Sequence, residues 1–200
     1  FIREGNIARR IESLHVVAIH EVGEMGDGLP YLAMEWLEGE DLGSVLRRQS
    51  TMDLETVRDL LKQVGEGLEA AHAMNIVHRD LKPTNLFRTV STGAIAAHWK
   101  ILDFGVSKLL DSEGTLTRDG LIGTPGYMSP EQARGHDSDH RSDIFSLGAV
   151  VYRALTGHAP FTASNLPQTL FRIVYVNPKD PRTLVKDMPL DVARVLAMVV

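Results

Sequence analysis

Asp80, Lys82, Asn85 and Asp103 are the residues of this chain whose types and spacing could do chemistry together. They share one stretch, which opens at Ile76 as I-V-H-R-D-L-K-P-T-N and closes, after a short variable segment, as K-I-L-D-F-G. Moving a phosphoryl group from a nucleotide to a hydroxyl calls for groups of these kinds. A carboxylate must hold the attacking hydroxyl, a cation must offset charge on the transferred group, and oxygen ligands must keep Mg²⁺ against the phosphates. Singly, each residue has a plainer reading: Asp and Asn form turns, and Lys is a solvated surface cation. Their arrangement in one short stretch favours the chemical reading.

The composition bounds what surrounds them. Two hundred residues with 44% hydrophobic content can bury a real core, in one domain or one and a fraction. Lys and Arg number 21 against 26 Asp and Glu, a net charge of −5, so there is no basic footprint of a nucleic-acid binder. The absence of Cys excludes a disulfide framework and a thiolate zinc site. No apolar run is long enough to span a bilayer. The most apolar stretch, Ile144 to Leu155, is broken by Ser146, Gly148 and Arg153 and reads as a buried helix. Phe1 opens the chain without a signal-peptide layout, and Val192, Val195, Leu196 and Val199 keep helical spacing to its last residues. Both ends therefore read as cut, and the sequence as a fragment of a longer protein.

The elements that must position the four residues follow from periodicity and punctuation. Ile7, Ile11 and Leu14 predict a short amphipathic helix ending near His15. Val16–Val22 and Tyr31–Leu37 predict two strands, with Gly23, Gly26, Asp27, Gly28 and Pro30 supplying the turn. A hairpin alone is marginal in water, so these strands need further partners. Glu38-Gly-Glu-Asp41 breaks the second strand and leads into a helix. From Asp53, the residues Leu54, Val57, Leu60, Leu61, Val64, Leu68 and Ala71 trace the stripe of a long core helix. Asn85–Arg88 and Lys100–Leu102 predict a short hairpin whose loop, Thr89 to Trp99, is tolerant of change. A long irregular segment runs from the D-F-G to Glu131 and reads as a functional loop. Helices follow at Ser142–Leu155, with Gly157 as its stop, at Leu166–Val176, and from Pro189-Leu-Asp191 onward.

The stretch H-R-D-L-K-P-T-N with D-F-G behind it resembles the catalytic and magnesium loops of the eukaryotic-type (Hanks-type) serine/threonine protein kinases, and the resemblance runs over nearly the whole chain. The wording K-I-L-D-F-G-V-S-K and G-T-P-G-Y-M-S-P-E-Q-A-R-G is most similar to bacterial members. The resemblance implies an α+β, two-lobed fold: residues 1–37 as the remnant of a small β-rich N-lobe with one helix and two strands, and 38–200 as a mostly helical C-lobe, incomplete at its C-terminus. It implies ATP and Mg²⁺ as cofactors and Ser or Thr hydroxyls of proteins, including its own, as acceptors. Asp80 would accept the substrate hydroxyl's proton and Lys82 would neutralise the transferred phosphoryl. Asn85 and Asp103 would hold the metal. His78 would be structural, supporting the D-F-G. Arg79 would pair with a phosphate on the following loop, with Thr115 and Thr117 as acceptors and Ser112 behind them. Thr124 would bond toward Asp80 and Lys82. Glu131 stands where the family pattern has A-P-E, here S-P-E, and lacks the usual D-P-x-x-R partner downstream. Asp143 would accept backbone N–H groups of the catalytic loop; a simple helix N-cap is the alternative at that place.

Met34-Glu-Trp-Leu37 matches the hinge, with Met34 beside the adenine pocket and the Glu35 carbonyl and Leu37 N–H bonding the adenine edge. Side-chain identity would say little there. Asp41 would reach the ribose and Phe87 would floor the pocket. Glu4 in F-x-x-E matches the helix glutamate that pairs with a strand lysine. No strand of V-A-I-K type and no G-x-G-x-x-G loop precedes it; Val17-Ala-Ile-His20 has His20 for Lys and comes after Glu4. The fragment alone is therefore expected to be nearly inactive. A partner-binding pseudokinase scaffold and a small-molecule phosphotransferase of related fold are the two alternatives. Lys82 and T-P-G-Y-M-S-P-E favour a protein substrate. The resemblance further implies a cytoplasmic domain, no nucleic-acid partner, a possible dimer, and a parent chain that could carry a membrane anchor elsewhere.

Overall fold

The computed structural model describes residues 2–91, 96–104 and 125–200, with the side chain of Glu4 outside that description. The first helix, α1, spans Ile2–Ala8, shorter than its apolar spacing predicts. Arg10 N–H bonds Ile7 O and Ile11 N–H bonds Ala8 O, and these tight turns close the helix. Ile11 is buried and Leu14 exposed. The spacing there records burial at a turn, not a helical face.

Strands β1 (Ile19–Glu24) and β2 (Pro30–Met34) form an antiparallel hairpin that packs on α1. Both are shorter than expected. The register slips between Ile19 and Glu21, a β-bulge that separates Val16 and Val17 from β1. That pair joins a different sheet: Val16 bridges Ile101 in parallel, Val17 N–H donates to Ile101 O at 2.9 Å, and Ile101 N–H donates to His15 O at 2.9 Å.

That second sheet has the order β3 (Gly39–Asp41), β4 (Leu86–Thr89), β5 (Trp99–Ile101), antiparallel throughout. The polar run at residues 38–41 reads in sequence as a break, yet it pairs with β4. Gly39 makes this possible. Its φ is 146°, and a Cβ there would lie 2.0 Å from Arg88 O. The register sets Asp41, Phe87 and Lys100 side by side across the three strands, so their side chains share one face.

Helix α2 (Leu42–Gln49) follows β3, and α3 (Leu54–His72) starts at Asp53, whose carboxylate accepts Thr56 N–H at 2.8 Å. The buried stripe of α3 is Val57, Leu60, Val64, Leu68 and Ala71; Leu54 and Leu61 are exposed at its edges. Beyond residue 124 come α4 (Pro130–Ala133), α5 (His140–Thr156), α6 (Leu166–Tyr175), α7 (Pro181–Leu184) and α8 (Leu190–Val199). Helix α5 is buried on most faces, as its composition predicts, and Gly157 ends it at φ 78°. It begins earlier than expected, because its cap is Asp139, which accepts Arg141 N–H. The single-turn helices α4 and α7 are too short for periodicity to reveal. Leu60, Val64 and Leu68 of α3, Leu81, Leu86, Ile101 and Val150 of α5 close one core. Each such side chain contributes on the order of 1.5–3 kcal/mol on burial. Among the described residues no helix is long and apolar enough to cross a membrane.

Candidate active site

The stretch from Ile76 to Asn85 leaves α3 and hangs between β4 and α5. Its anchor is Asp143, fully buried in the first turns of α5. Asp143 Oδ1 accepts Arg79 N–H at 2.8 Å, and Oδ2 accepts His78 N–H at 2.9 Å and His72 Nε2 at 2.8 Å. Asp139 caps the helix, so Asp143 is free for the loop. A carboxylate taking three donors is the strong form of hydrogen bonding.

The anchor holds a strained backbone. Arg79 has φ 67°, a left-handed conformation that a non-glycine residue adopts at a cost of about 1–3 kcal/mol. Both of its backbone polar groups are fixed: the N–H by Asp143, and the carbonyl by Gln132 Nε2 at 2.7 Å. Gln132 belongs to α4, where its side chain also completes a capping box with Ser129.

His78 is fully buried. Its Nδ1 accepts Asp80 N–H at 3.2 Å, so Nε2 carries the proton and donates to Leu102 O at 2.8 Å. Its ring meets Phe104 edge-on at 4.8 Å. The residue between, Asp103, is exposed and has φ 58°.

On this frame Asp80, Lys82 and Asn85 meet. Lys82 Nζ lies 2.6 Å from Asp80 Oδ2. Asn85 Nδ2 donates to Asp80 O at 2.9 Å and sits 3.5 Å from Asp80 Oδ2. The amide orientation leaves Asn85 Oδ1 as an open acceptor, and Asp80 Oδ1 is likewise uncommitted among the described residues. Asn85 O accepts Leu102 N–H at 2.9 Å, which ties the loop to the strand leading into Asp103. No cage of three or more His, Asp or Glu side chains occurs among the described residues. A neutral amide oxygen and one exposed carboxylate suit Mg²⁺, which takes few protein ligands and completes its shell with phosphates and water.

Residues 34–37, matched to the hinge by sequence, are tied into the fold through a side chain. The Glu35 side chain is not indifferent: Oε1 accepts Ala18 N–H at 2.7 Å and Lys100 Nζ at 2.7 Å, while Glu35 N–H donates to Ala18 O. Lys100 is buried and also donates to Val16 O at 3.3 Å. This ion pair joins the hinge to β5, three residues before Asp103. Leu37 and Phe87 are half-buried, and Met34 is exposed at the end of β2. Asp41 is the N-cap of α2. Its oxygens take Ser44 N–H at 2.9 Å and Ser44 Oγ at 2.5 Å. Burial pushes its carboxyl up, but those bonds and the Arg47 charge outweigh burial and leave it below the usual range.

Glu131 accepts a hydrogen bond from the Ser142 hydroxyl, and among the described residues no Lys or Arg forms an ion pair with it. Burial raises its carboxyl, but the Ser142 bond together with the backbone and Ser129 hydrogen bonds outweighs burial and leaves it below the usual range. Thr115, Thr117, Thr124 and the Glu4 side chain lie outside the described residues. His72, Gln132, Ser142 and Lys100 are site-building residues that the sequence reading missed.

An α+β chain whose buried helix carboxylate holds an H-R-D-L-K-P-T-N loop in this way has a protein kinase-like fold. The protein kinase domain family matches residues 1–187, and the chain belongs to that family. It is 38% identical over 169 residues to serine/threonine-protein kinase pkn3 of Myxococcus xanthus, covering 82% of this chain and 31% of that protein. It is 43% identical over 151 residues to serine/threonine-protein kinase PknA of Mycobacterium tuberculosis, covering 73% and 34%. With a probable serine/threonine-protein kinase PknB of Corynebacterium glutamicum it shares 34% identity over 193 residues, 94% of this chain and 29% of that protein. The chain thus spans about a third of the length of the curated relatives it matches.

Proposed function

We propose that this chain is the catalytic-loop part of a bacterial serine/threonine protein kinase, with residues 1–37 in the small lobe and 38–200 in the helical lobe. The kinase transfers the ATP γ-phosphoryl group to Ser or Thr hydroxyls of proteins in a signalling role. The observation that carries this reading is the Asp80–Lys82 contact of 2.6 Å on a loop whose backbone is held by Asp143.

Asp80 Oδ1 orients the acceptor hydroxyl and receives its proton as the new O–P bond forms and the bond from the γ-phosphorus to the bridging oxygen breaks, that oxygen leaving with ADP. Lys82 offsets charge on the phosphoryl in flight. Asn85 Oδ1 and the Asp103 carboxylate would hold Mg²⁺, which would supply positive charge against the nucleotide phosphates. The backbone of Glu35 and Leu37 takes the adenine edge, Phe87 floors it, and Asp41 faces the ribose with the lone pairs its cap leaves over. Glu4 serves the strand lysine of the family pattern.

Arg79 is the proposed receiver of a phosphate on Thr115 or Thr117, with Thr124 bonding toward Asp80. Its Nε is buried without a hydrogen-bond partner among the described residues, which is a site for such an anion. Mass spectrometry of active protein should find one of the two threonines phosphorylated; neither modified would place the switch elsewhere.

The test of the main reading follows labelled γ-phosphate from ATP to the protein itself and to a generic protein acceptor, using the full-length gene product with Mg²⁺. Asp80→Asn is run beside it and should lower transfer by about a hundredfold or more. No transfer by wild type, with ATP still bound, would replace the enzyme reading with a scaffold.

A further inference from the structure

A cavity of about 170 Å³ lies beside the catalytic lysine. Three elements each bring it a cation: α2 gives Arg47, the catalytic loop gives Lys82, and α5 gives Arg153. Thr84 and Tyr127 line it as neutral polar groups, and among the described residues no acidic side chain is in its wall. In a chain of net charge −5 this is a local inversion of sign.

The three charges are unequally compensated: Asp41 lies near enough to feel the Arg47 charge, whereas Arg153 has no carboxylate beside it among the described residues. Lys82 has Asp80. Arg153 Nη1 donates to Ser50 O at 2.7 Å and Nη2 to Leu46 O at 3.4 Å, the carbonyls at the end of α2. Those bonds aim the guanidinium without neutralising it. Arg47 Nη2 donates to the Ser44 hydroxyl at 2.7 Å. Among the described residues no carboxylate forms an ion pair with Arg47 or Arg153. Asp41 is at the rim with both oxygens bonded to Ser44. Gly43 keeps the space open: a Cβ there would lie 2.9 Å from Asp41 Oδ1 and 3.1 Å from Thr84 Cγ2. Tyr127 also registers the nearby charge, since Arg153 pulls its hydroxyl down against the larger upward push of burial.

An extended peptide advances about 3.3 Å per residue. With its acceptor hydroxyl at Asp80, a side chain about two or three residues away along the peptide would reach this cavity. Guanidinium forks match carboxylate and phosphate oxygens in pairs. We propose that the cavity is a specificity pocket for an anionic side chain of the protein substrate, flanking the phosphorylated Ser or Thr. The proposal rests on the kinase reading above and names its substrate class: acidic, or already phosphorylated, sequences rather than basic ones.

The test uses the full-length gene product and peptides with a single acceptor in a neutral frame. Positions up to about three residues on either side are varied through Ala, Glu, Lys and phosphoserine. At one position Glu should exceed Lys by about tenfold in kcat/KM, mostly through KM, as expected for a paired charge that is only partly desolvated. Arg153→Glu should invert that order, and Arg47→Glu should erase most of it, while both keep the wild-type rate on the alanine peptide. Because Arg153 also bonds the end of α2, its variant is checked for folding; Arg47 is exposed and carries the test if Arg153→Glu fails to fold. Phosphoserine above Glu assigns the pocket to phosphorylated substrates, and Glu above phosphoserine assigns it to acidic ones. Equal kcat/KM for Ala, Glu and Lys would overturn the proposal while leaving the kinase reading intact. Transfer to none of the peptides, nor to a generic protein, would instead remove the kinase reading itself.

Discussion

Asp143→Ala is expected to lower stability by about 3–5 kcal/mol and to abolish measurable phosphoryl transfer. The carboxylate is fully buried and takes donors from His72, His78 and Arg79. Alanine would leave all three without an acceptor in a place that water reaches poorly. Each buried donor left unmade costs about 1–3 kcal/mol, less than additively when one cavity serves all. The second loss is conformational. The left-handed Arg79 is held at its N–H by Asp143 alone among the described residues, so relaxation there would move Asp80, the next residue. Urea denaturation and a transfer assay on the same sample read both effects. A variant within about 0.5 kcal/mol of wild type would show that Asp143 does not anchor the loop.

Asp103→Asn should separate chemistry from folding. Asp103 is exposed, so removing its charge leaves no buried group stranded. Its φ of 58° is a conformation that Asn adopts about as readily as Asp, whereas alanine would add about 1–2 kcal/mol of backbone strain. Stability should therefore stay within about 0.5 kcal/mol. Transfer should fall about a thousandfold, because a neutral amide replaces the charged ligand in a site where Asn85 is already neutral. The Mg²⁺ concentration for half-maximal rate should rise in parallel. Unchanged transfer at saturating ATP, with unchanged Mg²⁺ dependence, would remove Asp103 from the metal site.

How much of this was legible in the sequence tracks the separation of the residues involved. Asp80, Lys82 and Asn85 lie within five positions of one another, so their spacing alone brings them together. The long helices were legible too, because α3 carries its own apolar stripe and cap, and α5 its own glycine stop. The contacts that support the site span far more chain. Glu35 and Lys100 are 65 positions apart, and Gln132 and Arg79 are 53 apart. No local pattern marks Lys100 or Gln132; only the folded chain brings them in. Asp143 was reached through family resemblance, and its rival reading as an N-cap was settled by Asp139 occupying that place. The misread elements, α1 and β3, are those where tertiary pairing overrode local signal. Ile11 is buried at a turn, and the polar Gly39–Asp41 gains a strand partner in β4.

The 65-residue separation of His78 from Asp143 also orders events in time. During synthesis the catalytic loop leaves the ribosome well before the helix that locks it. Until α5 docks, the Arg79 N–H has no acceptor among the described residues and only Gln132 of α4 holds its carbonyl, so the loop would be set late, after α3 and the β4–β5 hairpin. Long-range closure of this kind is the slow part of folding. Nascent chains arrested before residue 140 should leave the loop open to proteolysis near Arg79, and chains arrested well past Thr156 should protect it. The nascent chain would thus gain the geometry of this loop in one late step.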